Sequence, residues 1–147
     1  MGEEDLRKIG DVAIKYDLVI ISDEIYEKLI YGKKHISIAS LSKELKDRTI
    51  TINGVSKAYA MTGWRMGYLA APKHIAKGIL DLQGHMTSNP NSIAQYATIA
   101  ALEMDEKVVK KRTIFSIYNN YFINLFFYFT LFFYIHIKKY NLIYYHF

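Results

Sequence analysis

The chain has no cysteine, and among its 147 residues it has only two prolines and one tryptophan. The absence of thiols excludes a disulfide framework, thiol catalysis and cysteine-based zinc sites, and it fits a reducing compartment. The first five residues are mostly acidic and are followed by no apolar stretch, so they do not form a signal peptide. We therefore expect a cytoplasmic protein.

A basic stripe is also missing, although the formal net charge is +5. The lysines of the first two thirds of the chain are scattered among acidic residues rather than collected on one segment. Nucleic-acid-binding proteins usually concentrate their basic residues on one surface. The sequence therefore predicts no nucleic-acid partner.

Acidic residues are absent after Arg112, and all eight phenylalanines lie beyond that point. Residues 114–137 contain no Asp, Glu, Lys or Arg and are long enough to cross a bilayer, for which about 20 apolar residues suffice. The same composition results from translated AT-rich DNA, and we favour this read-through interpretation over a membrane anchor. We divide the chain into a body, residues 1–112, and an apolar aromatic tail, residues 113–147.

The body alternates helical patterns with three short apolar runs, at residues 18–21, 49–52 and 67–71. The first run is continuously apolar, which is typical of a strand buried on both faces in a parallel sheet. A helix after the third run has the apolar face Ile75, Ile79, Leu82 and Met86. This alternation predicts an α/β fold, with a mostly parallel sheet and flanking helices.

Polar side chains follow two of the predicted strands, where ligands of open α/β sheets usually bind. Asp23 and Tyr26 come after the first run, and Ser56, Lys57 and Arg65 come after the second. Arginine can donate two parallel hydrogen bonds to phosphate oxygens, and lysine can form a Schiff base with a carbonyl group. This set therefore suits a phosphorylated ligand that carries a carbonyl group. Solvated surface charges are the alternative, and spacing alone favours that alternative.

Two ordered motifs carry a resemblance to a known family. Residues 54–57 (GVSK) and 63–67 (GWRMG) resemble the cofactor-lysine signature of class I and II aminotransferases, especially their bacterial-type aspartate and aromatic branch. Residues 23–26 (DEIY) resemble the family's upstream Asp-x-x-Tyr. The similarity runs from about Glu3 to Lys111. It implies that the body is part of the large domain of the fold called PLP fold type I.

The resemblance implies pyridoxal 5'-phosphate (PLP) as cofactor, bound as a covalent aldimine at the catalytic residue Lys57. Asp23 would pair with the pyridine nitrogen and keep it protonated. Tyr26 would hydrogen-bond the phenolic oxygen, and Arg65, assisted by Ser56, would bind the phosphate. Each has a purely structural alternative: Asp23 as a turn cap, Tyr26 as a core or surface residue, and Ser56 bonded to local backbone.

The resemblance implies transamination between an amino acid, such as aspartate or glutamate, and a 2-oxo acid, by a homodimer. The family's phosphate-binding loop, ring-stacking aromatic and carboxylate-binding arginine are not located in the sequence, so we expect little turnover from this chain alone. A non-catalytic remnant that binds PLP weakly or pairs with an intact subunit is one alternative. A membrane-anchored α/β protein is another. No metal site is predicted, since His35, His74 and His85 lack ligand-like spacing.

Overall fold

The computed structural model describes residues 1–111 and 113 of the chain. The elements in order are the helix α1 (Glu3–Lys15), the strand β1 (Ile20–Asp23), a 3-10 turn (Ile38–Ser40), α2 (Lys43–Lys46), β2 (Thr49–Gly54), a second 3-10 turn (Thr62–Trp64), β3 (Gly67–Ala70), α3 (Lys73–Met86) and α4 (Ser92–Leu102). Residues 106–111 are also helical. The predicted tail lies outside the described residues, apart from Thr113.

An α/β architecture is confirmed, and the sheet predicted to be mostly parallel is mixed in the described residues, with one parallel and one antiparallel pairing. The strand order is β1-β2-β3, with β1 parallel and β3 antiparallel to β2. Parallel strands need a crossover connection, usually through a helix. Residues 55–66, between β2 and β3, contain only a short 3-10 turn, and the chain returns along β2 in the opposite direction.

The three strands bring three chain segments to one edge of the sheet, which we call the site edge. Asp23, the last residue of β1, pairs with Ile52 near the end of β2. Gly54, the last residue of β2, pairs with Gly67, the first residue of β3. Residues that follow β1, follow β2 and precede β3 therefore all lie at the site edge.

A small core lies where α1, α2 and the first 3-10 turn pack against one another and the turn contacts β2. Ala13, Ile38 and Leu45 are buried there. The close approach of α1 and α2 depends on Gly10, because a Cβ at this position would lie 2.8 Å from a methyl carbon of Leu45. The hydroxyl of Thr49 donates to the carbonyl oxygen of Leu45 at 2.6 Å, which ties β2 to the end of α2.

The predicted burial of the first strand on both faces is wrong in the described part of the chain. The strand begins at Ile20, two residues later than the apolar run, and Ile21 is 68% exposed. The apolar face predicted for α3 is also open, because no residue of this helix is buried and Leu82 is 60% exposed. None of the helices in the described residues has the length and apolarity that crossing a membrane requires.

Candidate active site

The segment between β2 and β3, residues 55–66, is called the lysine loop because it carries Lys57. Its first residue, Val55, is fully buried, and Ala58 is also buried. The amide of Tyr59 donates to the carbonyl oxygen of Val55 at 3.2 Å, which closes a turn around Ser56 and Lys57. These two side chains are half-buried at the site edge. Their position therefore follows from the buried residues on either side of them.

The segment after β1, residues 23–29, forms what we call the Asp23 turn. The carboxylate oxygen Oδ1 of Asp23 accepts a hydrogen bond of 3.1 Å from the backbone amide of Ile25. The structural alternative named for Asp23, a turn cap, is therefore present. The side chains of Asp23 and Tyr26 are both exposed, so the cap leaves the carboxylate accessible at the site edge.

Two lysine–tyrosine pairs join the Asp23 turn to the lysine loop. The Nζ of Lys57 lies 5.7 Å from the ring centre of Tyr26, and the Nζ of Lys28 lies 5.5 Å from the ring centre of Tyr59. Each segment thus supplies one lysine and one tyrosine. Both distances fall within the range of about 6 Å in which a cation is attracted to a ring face. A hydrogen bond with Tyr59 also raises the pKa of Lys28.

Arg65 stands at the site edge just before β3 and is exposed. Its Nη1 donates to the carbonyl oxygen of Thr62 at 2.8 Å. Its backbone is left-handed, with φ of 54°, as is that of Ala60. Such a conformation costs a non-glycine residue of the order of 1–3 kcal/mol and is frequent at functional sites. The two left-handed residues bracket the 3-10 turn and set the path of the lysine loop.

Gly54 is the point at which the three site segments touch. A Cβ on Gly54 would lie 2.9 Å from the carbonyl oxygen of Met66, 3.1 Å from Cδ1 of Ile25 and 3.2 Å from Cα of Gly67. Met66 adjoins Arg65, and Ile25 adjoins Tyr26. The missing side chain at Gly54 therefore allows the Asp23 turn and the end of the lysine loop to approach β2.

The five predicted site residues all lie at the site edge, but only Tyr26 and Lys57 have a ring contact. Arg65 points back to its own loop through its bond to Thr62. An open groove of about 460 Å³ lies beside the lysine loop. Its lining residues are Ala60, Gly63, Trp64, Asn91, Ile93 and Ala94. None of the five predicted residues lines this groove.

Glu24 is a residue that the sequence motif treated only as a spacer. Its side chain is buried, and its carboxylate accepts hydrogen bonds from the hydroxyls of Ser22 at 3.0 Å and Ser37 at 2.7 Å. The Nε2 of His35 lies 2.8 Å from the second carboxylate oxygen. No sequence spacing indicates this set, since Ser37 lies 13 residues from Glu24 in the chain. We call these four residues the Glu24 network.

The Glu24 network gives a testable dependence of stability on pH. Burial raises the pKa of Glu24, but hydrogen bonds from His35, Ser37 and Ser22 outweigh burial and hold this pKa below its ordinary value of 4.5. A carboxyl group with a lowered folded-state pKa stabilises the fold above its unfolded-state pKa and loses that contribution as pH falls through the folded-state value.

We expect Glu24→Gln to lower the free energy of unfolding by about 1 kcal/mol at pH 7, because the neutral amide keeps the hydrogen bonds but removes the charge that strengthens them. The difference from wild type should shrink as pH falls below 4.5. Urea denaturation between pH 7 and pH 3 measures it, with the exposed Glu103→Gln as control. Parallel pH profiles of wild type and Glu24→Gln would contradict this expectation.

Comparison with known proteins places the sequence among aminotransferases. The sequence model of the family described as Aminotransferase class I and II matches residues 1–126. An aspartate aminotransferase of Geobacillus stearothermophilus is 56% identical over 109 residues, which are 74% of this chain and 28% of that protein. An aspartate aminotransferase of Bacillus subtilis (strain 168) is 58% identical over 100 residues, 67% of this chain and 25% of that protein.

Solved structures agree with this comparison. The aromatic aminotransferase from Pyrococcus horikoshii OT3 superposes with a TM-score of 0.73 at 41% identity, over 77% of this chain and 31% of that one. The aspartate aminotransferase from Rhizobium meliloti gives 0.74 at 39% identity, over 77% and 29%. The chain spans about a quarter of the length of the curated relatives it matches. It belongs to the class I and II aminotransferase family.

Proposed function

We propose that this chain forms part of a PLP-dependent transaminase, which moves an amino group between an amino acid and a 2-oxo acid. The observation that carries the proposal is the contact of the Lys57 amine with the Tyr26 ring, at the sheet edge that also holds Asp23 and Arg65. The names of the relatives, aspartate and aromatic aminotransferases, support an amino donor such as aspartate or glutamate. A homodimer and a cytoplasmic location belong to the same proposal.

The side chains at the site edge fit PLP chemically. An amine (Lys57), a carboxylate (Asp23), a phenol (Tyr26) and a guanidinium (Arg65) match the cofactor's aldehyde, pyridine nitrogen, phenolic oxygen and phosphate. Asp23 and Arg65 are exposed, and Lys57 is half-buried, so each polar group is accessible to a ligand. Ser56, beside Lys57, adds a hydroxyl donor for the phosphate.

The proposed roles follow from what each side chain can hold or move. Lys57 would bind the cofactor through its amine and, once released, carry the proton from the substrate's Cα. Asp23 would keep a proton on the pyridine nitrogen, because a neighbouring carboxylate favours the charged form of that group. Tyr26 would donate a hydrogen bond from its hydroxyl to the phenolic oxygen of the cofactor, beside Lys57. When bound, PLP supplies the electron sink that no side chain of the site offers.

The test of this proposal is to map where PLP attaches and whether amino groups move. The full chain is incubated with PLP, reduced with borohydride and digested, and the pyridoxyl group is located by mass spectrometry. We expect it on Lys57, with half-buried Lys28 and exposed Lys73 unlabelled. A coupled assay with aspartate and 2-oxoglutarate then measures transamination.

The two readouts separate the candidate functions. Labelling at Lys57 with measurable turnover supports a transaminase, whereas labelling without turnover supports the non-catalytic PLP-binding alternative. A pyridoxyl group spread evenly over exposed lysines would contradict the assignment of the site. The membrane-anchored alternative depends on residues 114–137, which lie outside the described part of the chain.

A further inference from the structure

We infer that Glu24 is a positioning residue for the proposed cofactor site, which holds the Asp23 turn in place through Ser22, His35 and Ser37. This inference rests on the proposed function. Glu24 itself is only 6% exposed, and its carboxylate contacts Ser22, His35 and Ser37. It therefore acts on the cofactor through the residues on either side of it in the chain rather than by contact.

Alternation of side chains along the extended chain explains how one segment both anchors Glu24 and presents the Asp23 carboxylate. Successive side chains of a strand point to opposite faces. Ser22 and Glu24 share one side, as their hydrogen bond of 3.0 Å shows. Asp23 lies between them and is exposed on the other side. Fixing Glu24 on the inner side therefore fixes the direction of the Asp23 carboxylate on the outer side.

The partners of Glu24 connect the Asp23 turn to the core. Ser37 directly precedes Ile38, which is 3% exposed and begins the 3-10 turn that contacts β2. The Ser37 hydroxyl donates to Glu24 and makes no capping bond to its own 3-10 turn. The Ser37 hydroxyl therefore serves the Glu24 carboxylate and not the 3-10 turn that follows it. The Glu24 network therefore attaches the Asp23 turn to a packed segment, in addition to the backbone bond of 2.8 Å from the Glu24 amide to the carbonyl oxygen of Ile52.

The same carboxylate has a second interpretation, as a metal ligand. Among the described residues, one ligand atom each of Glu24, Glu27 and His35 lie within 4.8 Å of one another. The two oxygens of Glu24 are already engaged by two hydroxyls and an imidazole. These contacts satisfy the buried carboxylate without an ion, as a buried charge requires. We therefore assign the group to positioning.

The decisive variant is Glu24→Ala, which removes all three contacts. Hydrogen bonds to a charged group are worth enough to change an equilibrium about tenfold when they are lost. We expect Glu24→Ala to weaken PLP binding about tenfold in an absorbance titration. We also expect amide hydrogen exchange of residues 23–29 to become about tenfold faster, with exchange in β2 (Thr49–Gly54) unchanged.

Two conservative variants keep the inference falsifiable if Glu24→Ala does not fold. Ser37→Ala removes one bond, and we expect changes of about threefold in the same direction. Glu24→Gln keeps the shape, since Oε1 can still accept both hydroxyls and the amide can donate to a neutral His35. We expect this variant to bind PLP within about threefold of wild type. If Glu24→Gln keeps the PLP affinity that Glu24→Ala loses, the shape of the side chain matters for positioning, and a general loss of stability does not explain the effect.

Two control variants complete the design. Glu27→Gln removes one charge from the same turn and none of the hydrogen bonds of Glu24 to Ser22, His35 and Ser37. Gly10→Ala disturbs the α1–α2 packing at Leu45 and adds no contact with a residue of the turn. Neither should alter PLP affinity or exchange in residues 23–29. Wild-type affinity and exchange in both Glu24→Ala and Ser37→Ala, or equal effects from a control, would overturn the inference.

The two readouts also separate this inference from the proposed function. If wild type does not bind PLP, the proposed function fails. The exchange of residues 23–29 still tests whether Glu24 holds the turn. If wild type binds PLP and Glu24→Ala binds it equally well with unchanged exchange, the positioning role alone fails.

Discussion

Replacing Lys57 by alanine is expected to abolish covalent retention of PLP and to lower the small transamination rate expected of this chain by about 10²–10⁴-fold. The reason is that the same amine binds the cofactor and carries the proton at Cα, and a positioned proton carrier alone contributes about 10²–10⁴. The measurements are the borohydride-reduced mass and the coupled assay, each compared with wild type.

Lys57→Arg sharpens this prediction. An arginine keeps a cation near the Tyr26 ring, where the lysine Nζ now lies 5.7 Å from the centre. It does not form the covalent bond, so its loss of activity should match that of Lys57→Ala while the fold is better preserved. The exposed Lys73→Ala, at the start of α3, is the control and should retain full labelling. Normal labelling in either Lys57 variant would refute the assignment.

The second large effect is expected from Gly54→Ala. The new Cβ would meet the carbonyl oxygen of Met66 at 2.9 Å and Cα of Gly67 at 3.2 Å. Both are backbone atoms at the start of β3, so β2 and β3 must separate there. Overpacking of this kind costs about 1–3 kcal/mol. Because Ile25 and Met66 adjoin Tyr26 and Arg65, we expect PLP labelling at Lys57 to fall at least about tenfold as well.

Gly10→Ala is the matched control for Gly54→Ala. Its Cβ would approach the core at a similarly short 2.8 Å, but from the end of the flexible Leu45 side chain. We expect a loss of stability of about 1 kcal/mol with unchanged labelling of Lys57. Denaturant unfolding and borohydride labelling of both variants measure the two effects separately. Equal labelling in the two variants would show that Gly54 has no special role at the site edge.

The placement of the candidate site residues after β-strands could be predicted from the sequence because it depends on local rules. Apolar runs followed by small and polar residues marked the ends of β1 and β2, and Asp23 and Lys57 were placed after them. Parallel strands that end at one edge bring such residues together whatever the loops between them do. The motif around Lys57 also carried the family resemblance, which the comparison of sequences confirms.

Other features depended on contacts between distant residues. The antiparallel direction of β3 was not predicted, because an apolar run looks the same in either direction and only the path of residues 55–66 decides it. The exposure of Ile21 was not predicted either. An apolar run shows only that a strand can be covered on both faces, whereas its burial depends on which other elements pack against it.

The sequence by itself determined the family, the α/β elements and the order of the chemical groups along the chain, since these depend on short motifs and local periodicity. Only the tertiary structure decided that Tyr26 lies against Lys57, that Lys28 lies against Tyr59 and that Glu24 joins His35. The physical reason is that hydrogen bonds and ring contacts act over a few ångströms. Residues many positions apart reach that range only after the strands have paired and the core has packed.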